Sequence, residues 1–151
     1  MPQSLSAVYI HAVFSTKDRR PFLKDDANRV ALNAYISEVS HQLDCPAIIS
    51  NCMEDHIHIL VRFGRTATQA GWIKEIKRVT SIWIKAKDST LRDFYWQSGY
   101  GSFSVDPLNL EIVTNYIATQ AEHHRKTTFQ DEYRMLLKQH NIEWDERYVW
   151  D

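Results

Sequence analysis

Two histidines separated by a single residue are the first feature of this sequence that could support chemistry. His56 and His58 begin the segment HIHILVRF, whose apolar and β-branched residues predict a strand. Because side chains alternate along a strand, both imidazoles face the same way and could bind one metal ion together. The alternative is a solvent-facing strand that carries two histidines and no ligand.

A tyrosine and a glutamine one helical turn apart form the second feature. Asp106-Pro107 combines an N-cap side chain with proline at the first helical position, which predicts a helix from Asp106 to about His123. Tyr116 and Gln120 share one side of this helix, next to its apolar stripe rather than within it. They could therefore line a cleft, although a tyrosine in such a position often only packs its ring and exposes its hydroxyl.

The elements that must position these residues alternate in type. Strands are predicted over residues 7–15, 46–52 and 56–63, helices over 25–42, 66–87 and 106–123, one or two short strands within 94–105, and a last helix over 128–139. We expect Thr66 and Gln69 to form a capping box at the start of the second helix. The order β-α-β-β-α-β predicts an α+β fold of the ferredoxin-like type, an antiparallel sheet with helices on one face and additional helices at the C-terminal end.

Length and composition describe an ordinary globular chain and exclude several classes of protein. The 151 residues, 44% of them hydrophobic and 25% charged, predict one domain over residues 1–151 and argue against intrinsic disorder. No apolar run is long enough for a membrane span, and residues 1–7 carry no export signal, so we expect a cytoplasmic protein without a membrane partner. Cys45 and Cys52 are too few for a disulfide framework, and we predict that both are buried as small hydrophobic side chains.

Charge is unevenly distributed along the chain, although the formal net charge is only −1. Residues 60–92 contain eight basic and two acidic side chains, giving +6, whereas residues 106–151 contain nine acidic and five basic side chains, giving −4. Such a field could steer a polyanion to one face of the protein. A solvated helix with ordinary lysines would explain the same pattern.

Combined in this order, the two motifs resemble those of the single-tyrosine transposases in the HUH endonuclease superfamily, which move small insertion sequences or act on repeated palindromes. His56-Ile57-His58 resembles their His-hydrophobic-His motif, and Tyr116-x-x-x-Gln120 resembles their nucleophile helix. Residues 9–17 resemble the first strand and its exit, and residues 96–105 resemble the segment before the nucleophile helix. The resemblance extends over residues 6–151.

This resemblance implies transesterification on single-stranded DNA with hairpin or palindromic ends. Tyr116 would attack the scissile phosphorus, release a 3′-hydroxyl and form a 5′-phosphotyrosine, which another 3′-hydroxyl can later attack. His56, His58 and Gln120 would bind the divalent cation, which is Mg²⁺ by analogy with the family, whereas Mn²⁺ suits imidazoles better. The resemblance also implies a homodimer, and the sequence leaves open whether Tyr116 serves its own subunit or the partner's.

Two residues next to these motifs have more than one interpretation. His124 lies four residues after Gln120 and could be a further ligand, a phosphate contact, or a helix-end histidine that binds free carbonyls. Asp55 could orient one of the two histidines without itself binding the metal ion, or it could be an ordinary turn residue.

Basic side chains in a loop and on the second helix are the candidates for DNA contact. We predict phosphate contacts from Lys17, Arg19, Arg20, Lys74, Lys77, Arg78 and Lys85. Tyr100 and Phe103, near glycine turns, could stack on extruded bases. The alternative for each cation is an ordinary solvated surface.

Three functions are compatible with these features. The first is a metal-dependent enzyme that cuts and rejoins DNA. The second is a non-catalytic module, derived from a transposase, that binds a DNA or RNA hairpin. The third is a metal-dependent hydrolase that uses water as its nucleophile, with Tyr116 in a structural role.

Overall fold

A four-stranded antiparallel sheet forms the centre of the structure, a computed structural model that describes residues 2–151. Its strands are β1 (Tyr9–Ser15), β2 (Ala47–Cys52), β3 (His56–Arg62) and β4 (Gly101–Val105), in the order β2-β3-β1-β4. This order is the ferredoxin-like one, so the predicted α+β fold is confirmed. Because β3 lies between β2 and β1, its two histidines are on an interior strand, and the register pairs His56 with Ser15 and His58 with Val13.

Five helices surround the sheet: α1 (Asp26–Gln42), α2 (Gln69–Lys87), α3 (Leu110–Ala118), α4 (Gln120–His123) and α5 (Phe129–Gln139). Asp25 caps α1 by accepting a hydrogen bond from the Ala27 amide. The capping box predicted for Thr66 and Gln69 is wrong. Thr68 caps α2 instead, because its side chain accepts from the Gly71 amide and the helix therefore begins at Gln69.

The two faces of the sheet are covered by different helices. One face packs against α1 and α2 and carries alternate apolar side chains of the two central strands: Ile10, Ala12, Phe14, Ile57, Ile59 and Val61. The other face carries His11, Val13 and the two histidines of β3. There α5 packs Phe129 and Tyr133 against Val13, and α3 packs against β2 and β3. The additional C-terminal helices thus form a second layer that encloses the histidines.

The helix predicted over residues 106–123 is divided into three pieces. A single 3-10 turn at Pro107–Asn109 precedes α3, and Thr119 has non-helical backbone angles between α3 and α4. The hydroxyl of Thr119 donates to the Asn115 carbonyl at 2.8 Å, a local bond that commonly bends a helix. Tyr116 and Gln120 therefore belong to two consecutive helices rather than to one.

Two further expectations concern burial and the membrane. Cys45 and Cys52 are buried free thiols, as predicted. Across the part of the chain that the structure describes, none of the helices combines the length and the apolar character needed to cross a bilayer.

Candidate metal centre and its tyrosine

Four side chains converge between the sheet and the C-terminal helices. His56 and His58 come from β3, His124 follows α4, and Glu132 comes from α5; each offers one ligand atom, and these atoms lie within 4.8 Å of one another. Glu132 Oε1 is at the centre of the group, 2.9 Å from His58 Nε2, 3.1 Å from His124 Nε2 and 3.6 Å from His56 Nε2. Three imidazoles and one carboxylate in this arrangement could bind a single divalent cation.

The histidine pair of β3 faces this group rather than solvent. The His56 and His58 rings lie 5.3 Å apart between centroids, and both side chains are buried. This excludes the solvent-facing strand that the sequence left open. Their common orientation follows from strand alternation, and their burial follows from the second layer of helices.

An unpartnered nitrogen marks where a cation would bind. His56 Nε2 is buried and has no hydrogen-bond partner among residues 2–151. The other ring nitrogen, Nδ1, lies 2.6 Å from Asp55 Oδ1, which holds the proton on Nδ1 and leaves the Nε2 lone pair facing the ligand group. Asp55 therefore orients His56. A buried acceptor without a donor is costly, and a bound cation would satisfy it, so the residues fit a metal ion.

His11 orients the second histidine and was not assigned a role from the sequence. Its Nε2 lies 2.8 Å from His58 Nδ1 on the neighbouring strand. Burial lowers the pKa of both imidazoles. Both are therefore neutral at pH 7, which is the state in which His58 can offer a lone pair to a metal ion.

Glu132 is a candidate metal ligand that was not predicted from the sequence. Burial acts to raise its pKa, but hydrogen bonds with His124 and His58 outweigh that effect and hold the pKa of Glu132 well below its ordinary value. The carboxylate is therefore ionised. The helical spacing of α5 could have indicated this residue, because the acid falls within an otherwise apolar stripe. The buried residues of that stripe are Phe129, Glu132, Tyr133, Leu136 and Leu137. A charged residue in such a stripe needs partners.

Tyr116 is joined to the ligand group through the same carboxylate. Its hydroxyl donates to Glu132 Oε2, while Glu132 Oε1 contacts the histidines. The Tyr116 ring is half-buried, with its centroid 6.0 Å from that of His58. Burial and the negative charge of Glu132 raise the pKa of Tyr116, so the phenol is neutral in this state. The tyrosine and the ligand group meet within one chain.

Gln120 and His124 lie together beside Tyr116. Gln120 is buried, with its Oε1 2.9 Å from His124 Nε2 and its Nε2 3.3 Å from the Tyr116 carbonyl, to which it donates. Burial acts to lower the pKa of His124, but the hydrogen bond with Glu132 raises it overall. The amide oxygen of Gln120 thus borders the ligand group, and its role as a ligand stays a prediction.

The predicted DNA contacts fall into two groups on the structure. Lys17, Arg19 and Arg20 lie in the loop after β1, which is held against the corner before His56 by backbone hydrogen bonds from Thr16 to Asp55 at 2.8 Å and from Leu23 to Glu54 at 2.9 Å. The remaining four, Lys74, Lys77, Arg78 and Lys85, lie on α2, across the sheet from the histidines. The first group is therefore the one next to the candidate metal centre.

Lys77 differs from the other cations because its ammonium is bound within the fold. It donates to the carbonyls of Gln97, Ser98 and Gly99 at 2.7–3.2 Å. We expect Lys77→Ala to lower the free energy of unfolding by about 1–3 kcal/mol, because it removes a charged donor from three carbonyls at once. Urea denaturation measures this loss. Lys74→Ala, which removes an exposed cation from the same helix, should change stability by less than about 0.5 kcal/mol, and equal effects would contradict the assignment.

A pair of histidines on a central strand beside a tyrosine of a later helix is the arrangement that the resemblance to the single-tyrosine HUH transposases implied. The family model described as "Transposase IS200 like" matches residues 4–120, so the chain belongs to that family. The matched residues include His56, His58, Tyr116 and Gln120, and they end before His124 and Glu132. A comparison with curated proteins gave no match.

Solved structures of transposases share the fold. A protein from Deinococcus radiodurans R1 that is assigned as a transposase superimposes with a TM-score of 0.65 at 17% identity, covering 80% of this chain and 95% of that one. A REP-associated tyrosine transposase bound to a REP hairpin superimposes with a TM-score of 0.60 at 13% identity, covering 82% of this chain and 72% of that one. At these sequence identities, the similarity between this chain and the two transposases shows a shared fold only.

Proposed function

We propose that this protein is a metal-dependent endonuclease and strand transferase that acts on single-stranded DNA at hairpin-flanked sites. It would form a covalent 5′-phosphotyrosine through Tyr116. The observation that carries this proposal is the carboxylate of Glu132, which contacts the Tyr116 hydroxyl with one oxygen and the three histidines with the other. A structural tyrosine would not need a hydroxyl placed beside a candidate metal centre.

The metal site of the proposed enzyme consists of His56, His58, His124 and Glu132, with Gln120 as the predicted further ligand. The bound ion would supply Lewis-acid polarisation of the scissile phosphate. The family resemblance implies Mg²⁺, whereas the donors present include three imidazole nitrogens, which suit Mn²⁺. Asp55 and His11 would hold two of these imidazoles in their binding orientation.

The covalent step is a transesterification. The oxygen of Tyr116 attacks the phosphorus, its proton leaves along the hydrogen bond to Glu132 Oε2 and passes on to solvent, and the bond from phosphorus to the 3′-oxygen breaks. The departing 3′-oxygen takes up a proton from solvent. One phosphodiester replaces another, so the step needs no nucleotide cofactor, and a second 3′-hydroxyl can reverse it by displacing Tyr116.

The proposed partner is hairpin DNA. The REP hairpin bound by the related tyrosine transposase supports this choice. Lys17, Arg19 and Arg20 would bind phosphates near the candidate metal centre, while Lys74, Arg78 and Lys85 would bind more distant phosphates. The homodimer and the cytoplasmic location stay predictions. Because the Tyr116 hydroxyl reaches Glu132 of its own chain, we propose that each subunit uses its own tyrosine.

The direct test is the covalent product. Incubation with single-stranded hairpin DNA and Mn²⁺ is expected to give a protein–DNA adduct that survives denaturing electrophoresis. Cleavage without any adduct would instead indicate a hydrolase that uses water. Tight binding without cleavage would indicate the non-catalytic hairpin-binding module.

The donor set also predicts which ion binds more tightly. We expect Mn²⁺ to raise the melting temperature of chelator-treated protein more than Mg²⁺ at the same concentration, because imidazole nitrogens are poor ligands for Mg²⁺. An ion at 100 times its Kd stabilises the fold by about 2.7 kcal/mol, which a thermal melt resolves easily. His58→Ala serves as the control and should lose the Mn²⁺ shift. A Mg²⁺ shift equal to that of Mn²⁺ would contradict this prediction.

A further inference from the structure

A cavity of about 270 Å³ opens beside Tyr116, between β4, α3 and α5. Tyr116 and His11 line it, so it is continuous with the candidate metal centre, where Tyr116 binds Glu132 and His11 binds His58. It lies apart from a second cavity, lined by Met53, His56 and His124, that opens on another side of the ligand group. The proposed function does not use the first cavity.

The lining of this cavity suits a flat heterocycle. Its walls include Phe103, Ile112, Val113 and Leu136. The His140 ring lies 4.6 Å from the Phe103 ring between centroids, and the two planes are inclined by 31°. Enzymes that hold an extruded base place it between aromatic and apolar side chains of this kind.

Polar groups at the cavity can read the edge of such a ring. Asn109 and Gln139 line it with exposed amides, each of which can donate and accept hydrogen bonds. His140 donates from Nδ1 to the Leu136 carbonyl at 2.8 Å, which leaves Nε2 as an acceptor. Amides and a ring nitrogen are the groups that distinguish one base edge from another.

The charges favour an uncharged occupant over a phosphate. Among the described residues that line the cavity there is no lysine or arginine, and Asp106 adds a negative charge. A phosphate would be repelled there, whereas an uncharged base would not. In a strand that enters this region, the base therefore fits the cavity and its phosphate belongs at the Tyr116 hydroxyl.

We infer that this cavity holds one extruded base, that of a nucleotide adjoining the phosphate attacked by Tyr116. Asn109 and Gln139 then determine which base is accepted. This inference rests on the proposed function and extends it, because it assigns part of the cleavage-site specificity to the protein. Tyr116 lines both the cavity and the candidate metal centre, so an occupied cavity would place the neighbouring phosphate within reach of the nucleophile.

Binding of the base can be measured without DNA cleavage. Met135 lines the cavity and Met53 lines the other one, so ¹³C-methyl methionine NMR reports on both. Titration of metal-free protein with the four 2′-deoxynucleosides is expected to shift the Met135 methyl saturably, with unequal Kd values, and to leave Met53 in place. Gln139→Ala should weaken the preferred nucleoside about five-fold, the effect of one hydrogen bond. Gln42→Ala, an exposed amide on α1, is the matched control.

The second measurement uses hairpin DNA with an abasic site at each position around the cleaved bond. One abasic position next to that bond is expected to slow adduct formation at least ten-fold. No Met135 shift with any nucleoside, or equal adduct rates for all abasic substrates, would overturn the inference while adduct formation still supports the proposed function. If no DNA gives an adduct, the proposed function fails and the Met135 titration alone decides whether the cavity binds a base.

Discussion

Replacement of Tyr116 with phenylalanine is expected to abolish the covalent protein–DNA adduct and to reduce strand cleavage by at least about 10³-fold. The nucleophilic oxygen is removed, and loss of a nucleophile typically costs that much or more. The fold should persist, because only the hydrogen bond from the hydroxyl to the ionised Glu132 is lost, which costs about 1.5–3 kcal/mol. Denaturing electrophoresis of labelled hairpin DNA measures the adduct, and circular dichroism checks the fold.

Tyr148→Phe is the matched control for this experiment. It removes the same atom from an exposed residue in the C-terminal segment, and it should leave adduct formation unchanged. An adduct that persists in Tyr116→Phe would mean that another residue carries the covalent link. If Tyr116→Phe and Tyr148→Phe both cleave the DNA without forming an adduct, water is the nucleophile.

Replacement of Glu132 with glutamine is expected to weaken Mn²⁺ binding by about 10–100-fold. The change keeps the shape of the side chain but removes the negative charge that faces His58, His124 and His56. Even residues that only orient metal ligands typically change affinity by that factor. Isothermal titration calorimetry of chelator-treated protein with Mn²⁺ measures the loss without any catalytic step.

Glu122→Gln provides the control for this second substitution. Glu122 is an exposed acid in α4, close in sequence to His124 but outside the ligand group, and its replacement should leave the Kd for Mn²⁺ unchanged. Equal Mn²⁺ affinity of Glu132→Gln and the unmodified protein would remove Glu132 from the metal site. Adduct formation by Glu132→Gln should fall as well, because the substitution also removes the acceptor of the Tyr116 proton.

The sequence predicted the parts of the site that depend on local geometry. Strand alternation put His56 and His58 on one face, and helical spacing put Tyr116 near Gln120; the structure brings all four together. The sheet order was predictable for a similar reason, since the succession of element types allows few compact arrangements.

The remaining parts of the site depend on how α5 packs across the sheet. Glu132 is 74 residues from His58 along the chain, and no periodicity connects them. Lys77 shows the same limit, because the sequence predicted it as a phosphate contact on the second helix, whereas its ammonium binds carbonyls of the segment before β4. Contacts of this kind are determined by tertiary packing, so local patterns do not predict them.

The contact between Tyr116 and Glu132 within one polypeptide has a consequence for mixtures of defective proteins. If each copy assembles its own reactive centre, a copy lacking the phenol cannot be rescued by a copy lacking a histidine. Mixed samples of Tyr116→Phe and His58→Ala would then stay inactive at every ratio. Turnover per molecule would also be independent of dilution, so a single isolated copy would suffice to break and reseal a strand.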